Sequence, residues 1–148
     1  MAKRRKRRKR KRYKTGIYKS SKCNTPVKYR SGWELTVAKY LDLDPSVVEF
    51  QYEGFAIEYV ANLKTGKTRS YYPDFLVSYR DGTHKLIEVK RQDKLADPLV
   101  VKKAKAAEIW CAKQKHLKIT YEFWTNNMIA AFQKLNEAAL HRPIQWKQ

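Results

Sequence analysis

Two carboxylates and a lysine in this 148-residue sequence have types and spacing that could do chemistry together. Asp74 lies in Tyr72-Pro73-Asp74-Phe75, and after thirteen intervening residues Glu88 and Lys90 lie in Leu86-Ile87-Glu88-Val89-Lys90. Converging carboxylate oxygens are ligands for a hard divalent cation. Mg²⁺ typically takes one or two of them and keeps water and substrate phosphate in its remaining positions. A lysine beside such a pair can orient or help deprotonate an attacking water, or stabilise the charge that builds on a phosphorane. Phosphodiester hydrolysis needs both functions. The competing reading is a cross-strand ion pair on a solvated face, an interaction of small energetic worth.

The hydrophobic alternation around these residues sets how they meet. Phe75, Val77 and Tyr79 share one face of a strand, and Ile87 and Val89 share one face of the next. Both sets reach the same core only if the loop around Arg80 to Thr83 holds an odd number of residues, for example three with Gly82 in the left-handed position. Asp74, Glu88 and Lys90 then fall together on the opposite face. Asp74 stands across from Glu88 or Lys90, with facing α-carbons about 5.5 Å apart. Pro73 cannot donate to a ladder, so it marks a strand start or bulge that can aim Asp74 into a cleft.

The remaining elements follow from local signals. Residues 15–30 read as an extended lead-in held by a few aromatics. Ser31-Gly32-Trp33-Glu34 matches a capping box, and Trp33, Val37, Tyr40 and Leu41 continue at helical spacing, which predicts a helix over 31–43. Strands are expected at 47–53 and 55–61, a hairpin turn at 63–67, and further strands at 69–79 and 84–91, forming an antiparallel meander. Asp97-Pro98 starts a second helix to about 115, with Val100, Ala104, Ala107 and Cys111 on one stripe. A strand at 118–124 and a third helix at 126–140, capped by Thr125, complete the order α-β-β-β-β-α-β-α. That order predicts an α+β domain, a mixed sheet flanked by helices.

Lys and Arg number 33 against 14 Asp and Glu, a net charge of +19, which points to a polyanionic partner, nucleic acid first. Eleven of the cations lie in the first fourteen residues: Lys3, Arg4, Arg5, Lys6, Arg7, Arg8, Lys9, Arg10, Lys11 and Arg12 in one run, then Lys14. Such a block cannot bury itself, so residues 1–14 are expected to be a disordered basic arm and 15–148 a single domain. Lys102, Lys103, Lys105, Lys113 and Lys115 give the second helix a basic face, either a phosphate-tracking surface or an ordinary solvated one. Arg91 and Gln92 are placed to contact a DNA backbone or to end a strand in water. Tyr71, Tyr72 and Trp124 suit base stacking or, more simply, core packing.

Other classes are disfavoured. Cys23 and Cys111 are far apart and in no CxxC, which argues against a disulfide framework or thiolate zinc site. Gly66-Lys67-Thr68 lacks the first glycine of a phosphate-binding loop, since Ala61 stands there. His84, His116 and His141 have no metal-ligand spacing, and no G-x-S-x-G is present. No apolar run is long enough for a bilayer and the cationic start is no signal peptide, so a soluble, intracellular protein without membrane attachment is expected.

Pro73-Asp74 followed by Glu88-Val89-Lys90 resembles the PD-(D/E)xK nuclease superfamily. The resemblance implies a restriction-endonuclease-like α-β-β-β-α-β core, an order that residues 31–124 cover. It also implies a metal-site glutamate on the first helix, and Glu34 of Tyr29-Arg30-Ser31-Gly32-Trp33-Glu34 is the matching position, which the capping box also claims. That helix start and the Ile-Glu-Val-Lys strand are most similar to head-completion nucleases of tailed phages, with transposase-type endonuclease domains close. The resemblance implies a nuclease-like domain cleaving DNA, with Asp74, Glu88 and Glu34 holding Mg²⁺ or Mn²⁺ and Lys90 serving the water. The arm, Arg91, Lys102 and Lys105 would hold the backbone. It further implies phage portal or neck proteins as partners, no small-molecule organic cofactor, and action in the host cytoplasm or on the virion. The alternative is a non-catalytic nucleic-acid-binding component of a ribosome or virion, and the arm alone also suits nuclear localisation.

Overall fold

The computed structural model describes residues 14–140, so the basic run Lys3 to Arg12 lies outside the described residues. The elements in chain order are α1 (Gly32–Leu43), β1 (Val47–Tyr52), β2 (Ile57–Asn62), β3 (Lys67–Tyr71), β4 (Phe75–Tyr79), β5 (Thr83–Val89), α2 (Pro98–Lys113), β6 (Lys118–Trp124) and α3 (Asn126–Leu140). A short 3₁₀ turn at Gln92–Lys94 leads into α2. Both starts with capping signals behave as their chemistry requires: Ser31 Oγ accepts from the Glu34 amide, and Asp97 Oδ1 accepts from the Leu99 amide with Pro98 in the first turn. The lead-in is held by a bridge between Tyr18 and Val27 and by the Tyr18 hydroxyl on Asp42.

The expected meander takes a different form. Residues 69–79 are not one strand, because Tyr72-Pro73-Asp74 interrupts them, and among the described residues five strands rather than four precede α2. Pro73 has no N–H for a ladder. Among the described residues β2 and β3 pair only with each other, around a turn in which Gly66 has φ +70°, so Gly66-Lys67-Thr68 is indeed part of a hairpin. The main sheet has the order β1-β4-β5-β6, antiparallel except for the parallel β5–β6 pair. β1 therefore finds its partner beyond the inserted hairpin. With the insertion set aside, α1, β1, β4, β5, α2 and β6 give the α-β-β-β-α-β order of a restriction-endonuclease-like α+β fold.

The β4–β5 hairpin has one of the registers that alternation allows, the one with a three-residue loop. Phe75 faces Ile87 and Ser78 faces His84, leaving Arg80-Asp81-Gly82 as a three-residue loop with Gly82 at φ +84°. One face of the sheet buries Phe75, Val77 and Ile87 with Val37 and Leu41 of α1, and Tyr40 stacks on Phe132 of α3 at 3.9 Å. The other face is also covered: Leu86 packs with Ile57, Tyr59 and Tyr71 of the hairpin and Ala107 and Cys111 of α2. This second layer rules out a solvated ion-pair face for the acidic residues. Cys23 and Cys111 are free, buried thiols. Among the described residues, no helix is long and apolar enough to cross a membrane.

Candidate active site

Continuing the β4–β5 register one step beyond Phe75 and Ile87 places Asp74 opposite Glu88, and the parallel β5–β6 pair places Phe123 on the other side of Glu88. The break at Pro73 leaves Asp74 just outside the ladder, where its Oδ2 accepts from the Val89 amide at 2.7 Å. Its main-chain oxygen accepts from the Glu53 amide at 3.0 Å. Glu53 turns the chain out of β1 with φ +46°, in the left-handed region that few non-glycine residues adopt. Its carboxylate is held 3.0 Å from Arg30 Nη2.

Glu34 reaches back to the helix start and also stands among the acids. Its Oε2 accepts from a backbone amide at 2.6 Å, but that amide is Arg30's, one residue before the cap, rather than Ser31's. The same oxygen accepts from the Tyr52 hydroxyl at 3.1 Å. From this position a carboxylate oxygen of Glu34 lies within 4.8 Å of one from Glu53 and one from Asp74, each within the same distance of the others.

Glu88 lines the same open concavity, of about 290 Å³, together with Lys103 of α2. Its oxygens are outside the 4.8 Å group; Oε2 accepts from the Tyr71 hydroxyl at 2.5 Å, which is itself 2.9 Å from the Tyr121 hydroxyl. Glu88 and Lys103 also line a second, adjoining concavity, and Lys90 opens there, away from Asp74. The structure thus joins Asp74 to Glu34 directly, and reaches Lys90 through Glu88.

Burial, most of all, then the charge of Glu88, raise the Asp74 carboxyl well above the ordinary range; Glu34 and Glu53 push the same way against the Val89 amide. Burial also raises Glu88, opposed by the Tyr71 hydrogen bond and by Lys90 and Lys103. Burial first and neighbouring acids second push the Tyr52 and Tyr71 phenols upward, so both remain protonated donors. Asp74 and Glu88, whose carboxyls are raised, stand beside Glu34 and Glu53, and this oxygen-only set fits a hard divalent cation, whose charge would favour the ionised forms of Asp74 and Glu88.

The other candidates are spread out. Arg91 is exposed and paired with Asp93 at 3.0 Å. Lys102 donates to the Ala61 carbonyl, and Lys102 and Lys105 line a groove between β2 and α2 rather than the acidic concavity. Lys103 does reach the acids, passing over the Tyr71 ring at 5.4 Å, because successive helical residues are rotated by about 100°. Tyr71 and Trp124 are core residues and Tyr72 is exposed. Glu53, Lys103 and Tyr71 complete a site from which the sequence motif alone leaves them out.

This fold and acidic site define a PD-(D/E)xK-like nuclease domain, and comparison with known families agrees. Residues 44–129 match the family model described as TnsA-like endonuclease N terminal, and the chain belongs to that family. The match includes Glu53, Asp74, Glu88, Lys90 and Lys103 and begins after Glu34. A curated relative is the head completion nuclease of Enterobacteria phage T4, 28% identical over 101 residues, or 68% of this chain and 63% of the relative. The chain thus spans somewhat less than two thirds of that relative's length.

Proposed function

We propose that this protein is a divalent-metal-dependent DNA endonuclease that hydrolyses phosphodiester bonds. The observation that carries the reading is the convergence of three carboxylates, Glu34, Glu53 and Asp74, within 4.8 Å, with Glu88 in register beside Asp74. Acidic groups so placed repel a phosphate unless a cation lies between them. Asp74, Glu34 and Glu53, with Glu88 from the neighbouring strand, would hold Mg²⁺, or Mn²⁺ in its place. Bound there, the cation supplies charge neutralisation and Lewis-acid polarisation of a phosphate oxygen.

The chain's own groups do the rest. Tyr71 fixes the Glu88 carboxylate through its hydroxyl, and Arg30 fixes Glu53 at the mouth. Lys90, two residues beyond Glu88, lines the adjoining concavity, from which its ammonium would orient an attacking water or meet a phosphate oxygen. Lys103 adds a second cation between the two concavities. The arm from Lys3 to Arg12, with Arg91, Lys102 and Lys105, would hold the DNA backbone by phosphate contacts.

The name of the phage T4 relative, a head completion nuclease, supports a narrower reading, action during completion of a phage head. A place in the host cytoplasm or on the virion and contact with portal or neck proteins are part of the same proposal. The test of the enzymatic core is direct. Supercoiled plasmid incubated with the full chain and Mg²⁺ or Mn²⁺ is expected to become nicked, and chelator to stop the reaction. Tight plasmid binding without nicking under either metal would overturn the reading in favour of a non-catalytic nucleic-acid-binding protein.

A further inference from the structure

Beside the carboxylates, the second concavity has a different character. It encloses about 300 Å³, at the lower end of the range for small-ligand sites, so it suits one nucleotide and not a duplex. Its inner rim carries Lys90 and Lys103, and Lys94 adds a third ammonium. Its far wall is apolar, with Leu99 and Val100 from the first turn of α2 and Phe123 from β6. A groove that only tracked phosphates would need the lysines and no such wall. Leu99, in the first turn of α2, is 45% exposed, so nearly half of it is left open among the described residues.

Register sets the order of these groups. Asp74, Glu88 and Phe123 form one row across β4, β5 and β6, so the aromatic lies one strand spacing, about 4.8 Å, beyond Glu88 and two beyond Asp74. A chain whose scissile phosphate sits at the carboxylates would carry its adjoining nucleotide along this row. Its phosphate would pass Lys90 and Lys103, and its base would meet Phe123 and Leu99. A base inside a duplex is stacked and paired, and only an unpaired one can turn into such a pocket.

We infer that the concavity bounded by Lys90, Lys94, Leu99 and Phe123 binds one unpaired nucleotide next to the scissile phosphate, making DNA with a single-stranded segment the preferred ligand. This rests on the endonuclease reading for the place of the scissile phosphate, but binding can be measured without cleavage. The probe is a fluorescently labelled two-strand DNA duplex, blunt or with a short single-stranded overhang, titrated with the full chain in Ca²⁺ and read by anisotropy. Wild type is expected to bind the overhang form about tenfold more tightly, the scale of one stacked base. Phe123→Leu, which keeps apolar bulk but removes the aromatic face, is expected to shrink that ratio severalfold. Leu99→Gln, at an exposed helix position, gives the same test should Phe123→Leu fold poorly by circular dichroism. Equal wild-type affinity for the two DNAs, or an undiminished ratio in Leu99→Gln, would overturn the inference. A preference for the overhang without nicking in Mg²⁺ would leave the pocket standing and sink the endonuclease reading instead.

Discussion

Replacing Asp74 with asparagine removes one negative charge from a buried acidic group while keeping its shape, and the effect on stability has a definite sign. In the wild type Asp74 is buried, 8% exposed as a residue, and its carboxyl faces Glu88 across the sheet, Glu34 from α1 and Glu53 from the end of β1. Lys90 and Lys103 act on Glu88, and Arg30 pairs with Glu53, which lessens the repulsion without cancelling it. Because burial and these acids raise the native value, folded Asp74 keeps a proton that an unfolded aspartate, at about 3.9, releases. Raising the pH from about 4 therefore favours unfolding until the raised native value is passed. Asp74→Asn should flatten that decline, at a cost of about 1 kcal/mol for the weakened hydrogen bond from the Val89 amide. Mg²⁺ acts oppositely. At about 100 times its dissociation constant it should add about 2.7 kcal/mol to the wild type. For a domain of roughly 130 residues that is about 10 °C in midpoint. Thermal melts of both proteins between pH 4 and 8, with chelator or Mg²⁺, provide the assay. Taking the difference between the two cancels groups with the opposite slope, such as Asp81, whose bonds from Thr83 lower its value. A wild-type midpoint that gains on the variant as pH rises in chelator, or an equal Mg²⁺ shift in both, would refute the reasoning.

Three further outcomes are expected. Lys103→Ala should lower the cleavage rate by about 10²-fold, the scale of removing one transition-state donor, and Lys103→Arg should restore part of it in a plasmid assay. Deleting residues 2–14 should flatten the salt dependence of DNA binding, by about 0.9 in logarithmic slope for each phosphate no longer neutralised, yet leave cleavage detectable at low salt. Leu86→Ala, emptying a fully buried position under α2, should cost about 2–5 kcal/mol in denaturant unfolding.

Local chemistry was legible in the sequence where the structure depends on neighbours in the chain. The Ser31 cap, the Asp97-Pro98 start, the three-residue loop at Gly82 and the extents of β6 and α3 all follow from short-range signals. Alternation also put Asp74, Glu88 and Lys90 on one face, because the pleat buries Phe75 and Ile87 together only with an odd loop; that Asp74 stands opposite Glu88 rather than Lys90 was set by the loop length. What escaped depends on long-range pairing. β1 joins β4 across an inserted hairpin, a choice that no local propensity encodes. Glu53 enters the site only because that pairing brings the end of β1 to Asp74, and the one hint was its place between a strand and Gly54. Lys103 was visible as part of a basic helix face, but which of its lysines meets the acids depends on how α2 is rotated against the sheet.

The central claim, that the acidic cluster around Asp74 performs metal-dependent hydrolysis of DNA, is tested most directly by plasmid nicking in Mg²⁺ with wild type and Asp74→Asn side by side, both shown to be folded. Wild type should nick the plasmid, and the variant should lose at least about a hundredfold in rate. Undiminished nicking by folded Asp74→Asn would contradict the assignment of this site.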